Sequence, residues 1–212
     1  MDSPGYIDES LRSFLVKLAG RSPEPAGGAA LALAAASAAA LVSLTCHAGM
    51  LRAAEPDGDD PLVACQRAGE TMAARLQHLI DADVKAYREV SRCLRLPNGT
   101  HSEREMREAA LDSALVGAIE VPLEVAETGL EILALAVQTA PATDSPALGD
   151  LAAAMHLAEA AVKGSLRNAR INAAGLADRE YAAAALSRVE AYQTRLVELA
   201  EAASVLEGRL PT

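Results

Sequence analysis

Apolar residues in the first third of the chain recur with the spacing of helices rather than of strands. Leu11, Phe14, Leu15 and Leu18 fall at i, i+3, i+4 and i+7, one stripe on a short first helix that Gly20 ends. "RSPEPAGG" then reads as a turn into a long uncharged run, "AALALAAASAAALVSLT", which predicts a second helix ending near Leu51. "AAEPDGDDP" reads as a loop, and Pro61 suits the first turn of a third helix that runs to about Leu94. Val63, Met72, Leu76, Leu79, Ile80, Val84, Tyr87 and Val90 form its apolar face.

Pro97 and Gly99 break the chain, and Ser102-Glu103-Arg104-Glu105 reads as a capping box that opens a fourth helix reaching Thr139. Pro122 inside it predicts a kink near residues 117–121. After the loop "APATDSPALGD", a fifth helix is expected from Ala147 to Ala173, and a sixth from Asp178 to Gly208. No stretch alternates apolar and polar residues as a half-buried strand requires, no linker divides the chain and no segment repeats. These features predict an all-α, single-domain, up-and-down bundle of about six mostly long helices over residues 1–212.

Composition sharpens this picture. Half of the 212 residues are hydrophobic (51%), yet aromatics make up 2% and Phe14 is the one phenylalanine. Such a core closes by bringing backbones near one another over Ala, Leu and Val, which helices do best. The alanine run is about long enough to span a bilayer, but alanine is only marginally apolar and the run lacks aromatic or basic anchors. A charged amphipathic segment precedes it where a signal peptide would carry its basic start. The run is therefore expected to be the buried central helix of a soluble, cytoplasmic protein, not a membrane span.

Net charge is −10, with no basic block, which argues against a nucleic-acid partner. Cys46, Cys65 and Cys93 are odd in number and lack C-x-x-C spacing, and the four histidines are scattered. No metal, cofactor or disulfide framework is expected, and a reducing compartment is. Cys46 and His47 are adjacent, so on a helix they point about 100° apart and make a poor metal pair.

Chemistry is then sought among polar groups out of place on apolar helices. In "LIDADVKAY", Asp81 lies four residues before Lys85, which predicts a surface ion pair. Asp83 shares a face with Ile80 and Tyr87, where desolvation raises a carboxyl pKa and suits it to general acid–base work; an ordinary structural role is the alternative. The "PAGG" turn offers free N–H groups at a helix start, as an ordinary glycine turn also does. Asn168 and Asn172 project amides from one face and need partners, a ligand among the candidates. Asp150 is read as a favourable charge early in the fifth helix.

Those residues occur in an order that resembles the formimidoyltetrahydrofolate cyclodeaminase / methenyltetrahydrofolate cyclohydrolase family. "FLVKLA", a P-x-G-G turn into an alanine helix ending "SLT", "DADVKAY", "LPNGT", "VPLEVAE" and N-x-x-x-N before "GLADREY" carry the likeness, which covers nearly the whole chain. The resemblance implies a homodimeric helical enzyme handling one-carbon units on tetrahydrofolate, with no further cofactor. It assigns proton transfer to Asp83 and substrate contacts to Pro25, Gly27, Gly28, Asp150, Asn168 and Asn172. Because these polar groups lie on three elements and need a common partner, a substrate cleft joining the "PAGG" turn, the middle of the third helix and the Asn168 face is expected.

The family's P-G-G-G-S turn is "PAGGA" here, so Ala26 and Ala29 replace a glycine and a hydroxyl, and Asn98 replaces the lysine of "LPK". The family's glycine-asparagine stretch before Asp150 is replaced by "ATDSPALG". The expected activity is therefore cyclohydrolase or cyclodeaminase, with a repurposed site for a non-folate imine or a non-catalytic binding bundle as alternatives. Lack of an attached formiminotransferase region inclines the expectation towards the cyclohydrolase.

Overall fold

The computed structural model describes residues 5–51, 61–143 and 145–207. Among them there are six α-helices and no strands: α1 (Leu11–Leu18), α2 (Gly27–Met50), α3 (Pro61–Leu94), α4 (His101–Thr139), α5 (Ser145–Ala174) and α6 (Arg179–Glu207). Short 3-10 turns at Tyr6–Asp8 and Ala140–Ala142 complete the description. The "AAEPDGDDP" loop before Pro61 and the Gly208 helix end lie outside the described residues.

Helices α2 to α5 close a ring, each packing on the next and α5 packing back on α2, while α6 lies across α4 and α5. Alanine makes this arrangement possible at α2. Ala29, Ala32, Ala35, Ala38 and Ala39 are fully buried, and their short side chains let α3 and α5 come close. Gly69 of α3 meets α2 where a Cβ would stand 3.0 Å from the Ala39 carbonyl oxygen, and the Ser43 hydroxyl donates to the Gln66 carbonyl beside it. By length and hydropathy α2 passes as a membrane span, yet 56% of its most apolar window is buried among its neighbours. Leu76, Ile80, Ile119, Leu123, Leu133, Leu151 and Val162 fill the spaces between the helices.

One local reading is corrected. The fourth helix is capped two residues earlier than expected: Glu103 N–H donates to the Thr100 hydroxyl, and Thr100 N–H donates to the Glu103 carboxylate. Threonine follows Gly99 directly and offers the same hydroxyl as Ser102, so the box closes at the first position the turn allows. The α1 stripe is covered only in part. Phe14 is buried, whereas Leu11 and Leu15 are 62% and 51% exposed. A two-turn helix touches the bundle along one line, and Phe14, edge-on to Tyr6, occupies it.

Beyond α5, the chain is pinned to α4 by polar contacts. Ala177 N–H donates to Asp112, and Asp178 caps α6 by accepting from Glu180 and Tyr181 N–H. Glu120 accepts from the Tyr181 hydroxyl at 2.6 Å and from Arg188 at 2.8 Å. Burial raises the Glu120 carboxyl, but these two bonds outweigh it and hold the group below its ordinary value.

Candidate active site

The first turn of any helix leaves backbone N–H groups without partners, and a side-chain oxygen at the cap position ordinarily takes one. The residue before α2 is Ala26, which has none to give. Asp83 of α3 supplies it across space, its carboxylate accepting from Ala29 N–H. The approach is so close that a Cβ on Gly28 would lie 1.9 Å from Asp83 Oδ1. Gly28 is thus required by the carboxylate that leans against it. Burial pushes the Asp83 carboxyl above its ordinary range, and the Ala29 N–H bond opposes this without cancelling it.

The donor is the backbone, so this bond does not depend on the side chain at Ala29. Upstream, Arg88 Nε lies 2.8 Å from both Glu24 carboxylate oxygens, tying the turn to α3 one turn and a residue beyond Asp83. The Glu24–Pro25 peptide is cis.

Asp83 faces a cavity of about 320 Å³. Gly27 and Gly28 from the α2 start, Asp83, Ala86, Tyr87 and Val90 from α3, Ala118, Val121 and Pro122 from α4, and Asn168, Ile171 and Asn172 from α5 line it. On each of the three long helices the lining residues include an i, i+4 pair, which stacks on one face: Asp83 with Tyr87, Ala118 with Pro122, Asn168 with Asn172. Asp83 is the one carboxylate among these residues, and no lysine or arginine is among them.

Asn172 donates from Nδ2 to the Ala118 carbonyl at 2.6 Å, and the Asn168 amide has no hydrogen-bond partner among the described residues. The cavity therefore holds a carboxyl raised above its ordinary range by burial, two amides and apolar walls.

The structure thus brings Gly27, Gly28, Asp83, Asn168 and Asn172 to one cavity. Pro25 is buried beside it but does not line it. Asp150 stands apart: it is exposed, past the first turn of α5, and 18 residues before Asn168, about 27 Å along a straight helix. Within one chain it does not reach the cavity, and Asn98 also lies outside it, exposed in the turn after α3.

Asp81 is not paired with Lys85. It accepts Tyr6 N–H at 2.6 Å and so anchors the N-terminal segment to α3. Sequence reasoning placed Pro122 only as a kink and missed Ala118 and Val121 as lining. The signal was Pro122 itself, which lacks the N–H that would otherwise bond the carbonyl four residues before it.

A profile described as Formiminotransferase-cyclodeaminase matches residues 10–191. The chain is 31% identical over 183 residues to a methenyltetrahydrofolate cyclohydrolase of Methylorubrum extorquens, covering 86% of this chain and 88% of that protein. It is also 31% identical over 172 residues to the formimidoyltransferase-cyclodeaminase of Rattus norvegicus, covering 81% of this chain and 32% of that longer protein. Among solved structures, a formiminotetrahydrofolate cyclodeaminase from Thermotoga maritima superposes with a TM-score of 0.83 at 21% identity, covering 95% of this chain and 97% of that one.

Proposed function

The chain belongs to the formiminotransferase-cyclodeaminase family, and from that premise we propose that it is a folate one-carbon enzyme using Asp83 as its general base and acid. The observation that carries the reading is the carboxylate itself: one acid, fixed by Ala29 N–H, raised by burial and open to a cavity with amides opposite.

In the cyclohydrolase reaction, water adds to the C–H carbon joining two nitrogens in 5,10-methenyltetrahydrofolate. Asp83 takes a proton from that water as the C–O bond forms. The same proton returns to N5 as the C–N5 bond breaks, and the hydroxyl proton leaves to solvent with the positive charge of the methenyl group as the C=O bond forms, giving 10-formyltetrahydrofolate. In the cyclodeaminase reaction, N10 attacks the carbon of a protonated 5-formimino group and gives its proton to Asp83, and the same carboxyl passes that proton to the amine that leaves as ammonia. Both pass through a tetrahedral carbon bonded to N5 and N10, so one carboxyl serves either.

A second reading is favoured by the lining, which among the described residues holds no lysine or arginine to meet a glutamyl carboxylate. A cyclic amidine or imine without that tail fits this feature better. We also propose a cytoplasmic homodimer, its second copy covering the outer stripe of α2 at Leu33, Ser37, Ala40 and Leu44.

The test is the decay of methenyltetrahydrofolate absorbance with and without protein, beside thermal shift by folates. Accelerated decay supports the folate reaction. A shift without acceleration supports a binder, and neither supports the tail-less substrate.

A further inference from the structure

In a helix, the carbonyl of Ala118 would close on the N–H of residue 122, and Pro122 has none. The orphaned carbonyl instead accepts from Asn172 Nδ2 of α5 at 2.6 Å. A carbonyl oxygen only accepts, so the end of the amide that faces it is the NH2 group. The orientation of Asn172 is thereby fixed, with its other end, Oδ1, an acceptor that receives no hydrogen bond from the described residues. Ala118, Pro122 and Asn172 all line the cavity that Asp83 faces.

We infer that Pro122 and Asn172 form one positioning device: by withholding an N–H, Pro122 leaves the Ala118 carbonyl to hold the Asn172 amide, whose oxygen is presented as a fixed acceptor for an N–H group of the bound heterocycle. The coupling needs only this protein. The role towards substrate rests on the proposed function.

Three variants beside the wild type test it: Pro122→Ala, Asn172→Asp and the double substitution. Asn172→Asp keeps the size but replaces the donor by an oxygen facing the carbonyl. It should lower Tm by about 3–10 °C, the cost of an unsatisfied and repelled carbonyl. Pro122→Ala restores the backbone N–H to Ala118, so it should fold with Tm unchanged or higher. In that background Asn172→Asp should cost less than half as much.

Pro122→Ala should also free the amide to turn. KM for methenyltetrahydrofolate, or the Kd of the unreactive 5-formyltetrahydrofolate by calorimetry, should then rise about 5- to 20-fold while kcat stays near wild type, as for one lost hydrogen bond. A merely structural asparagine would not give that split.

Additive losses of Tm overturn the coupling whatever the substrate. Coupled losses with KM and Kd unchanged in Pro122→Ala overturn the presentation of the oxygen. If the wild type neither turns over nor binds these folates, the proposed function and the substrate half of the inference fall together, while the Tm cycle still decides the coupling.

Discussion

Asp81 and Asp83 stand two residues apart on α3 and do the same local task in different surroundings. Each carboxylate accepts a backbone N–H from a helical start whose own cap residue has no side-chain oxygen: Tyr6 after Gly5, and Ala29 after Ala26. Each leans on a glycine, where a Cβ would lie 2.3 Å from the Asp81 carboxylate at Gly5 and 1.9 Å from that of Asp83 at Gly28. The far sides differ. Asp81 meets the N-terminal segment, where Tyr6 packs on Phe14 and lies under Lys17, whereas Asp83 opens on the cavity with Asn168 and Asn172 across it. Capping fixes a carboxylate in place, and the open volume beyond it makes the group available for chemistry.

The sharpest way to break this comparison is to add one methyl group at each glycine. Gly28→Ala must push the Asp83 carboxylate away, and a displacement of about 1 Å at a reacting group costs on the order of 10²-fold in turnover. Gly5→Ala should disturb Asp81 and leave turnover near wild type. Equal losses of kcat/KM in the two variants would mean that the carboxylates are not functionally distinct.

Next in size is stability at the other aspartate. Asp81→Ala leaves Tyr6 N–H without its acceptor and should cost about 1–2 kcal/mol in urea unfolding, with kcat retained. Asp81→Asn keeps an acceptor oxygen and should cost less. A loss in Asp81→Ala that appears in kcat but not in the unfolding midpoint would contradict the anchoring role.

The smallest effect concerns pH. The Asp83 carboxyl is raised in the folded protein, so the folded state binds more protons than the unfolded one between the ordinary carboxylate pKa and the raised value. Stability from this group is therefore greatest below the ordinary pKa and is lost as pH rises through the raised one. Asp83→Asn removes the penalty, and its Tm should exceed that of the wild type at pH 7–8, with the gain shrinking as pH falls towards about 4. A gain that grows on acidification would reverse the assigned direction.

Much of this was legible in the residues. Helix positions followed from apolar spacing, Pro61, Pro97, Gly99 and the alanine run, since these set local geometry directly. Asp83 stood out because it shares a face with Ile80 and Tyr87. What escaped was tertiary. Nothing near Asp81 in sequence announces Tyr6, which lies 75 residues away, and Lys85 at i+4 offered a nearer partner. The α1 stripe was legible as a helical periodicity, but periodicity does not say whether a neighbour is present to cover it. Pro122 declared a missing N–H, yet which side chain would answer the Ala118 carbonyl depended on α5 lying alongside α4. Asp150 and Asn168 share a helix, but its length carries them apart.

The central claim is that Asp83 alone carries the proton, and turnover of methenyltetrahydrofolate by Asp83→Asn and Asp81→Asn, measured side by side across pH, tests it most directly. Asp83→Asn should lose about 10²–10⁴-fold in kcat and one limb of the pH profile while still binding 5-formyltetrahydrofolate. Asp81→Asn should stay near wild type. An unimpaired Asp83→Asn, or equal losses in the two variants, would contradict the account.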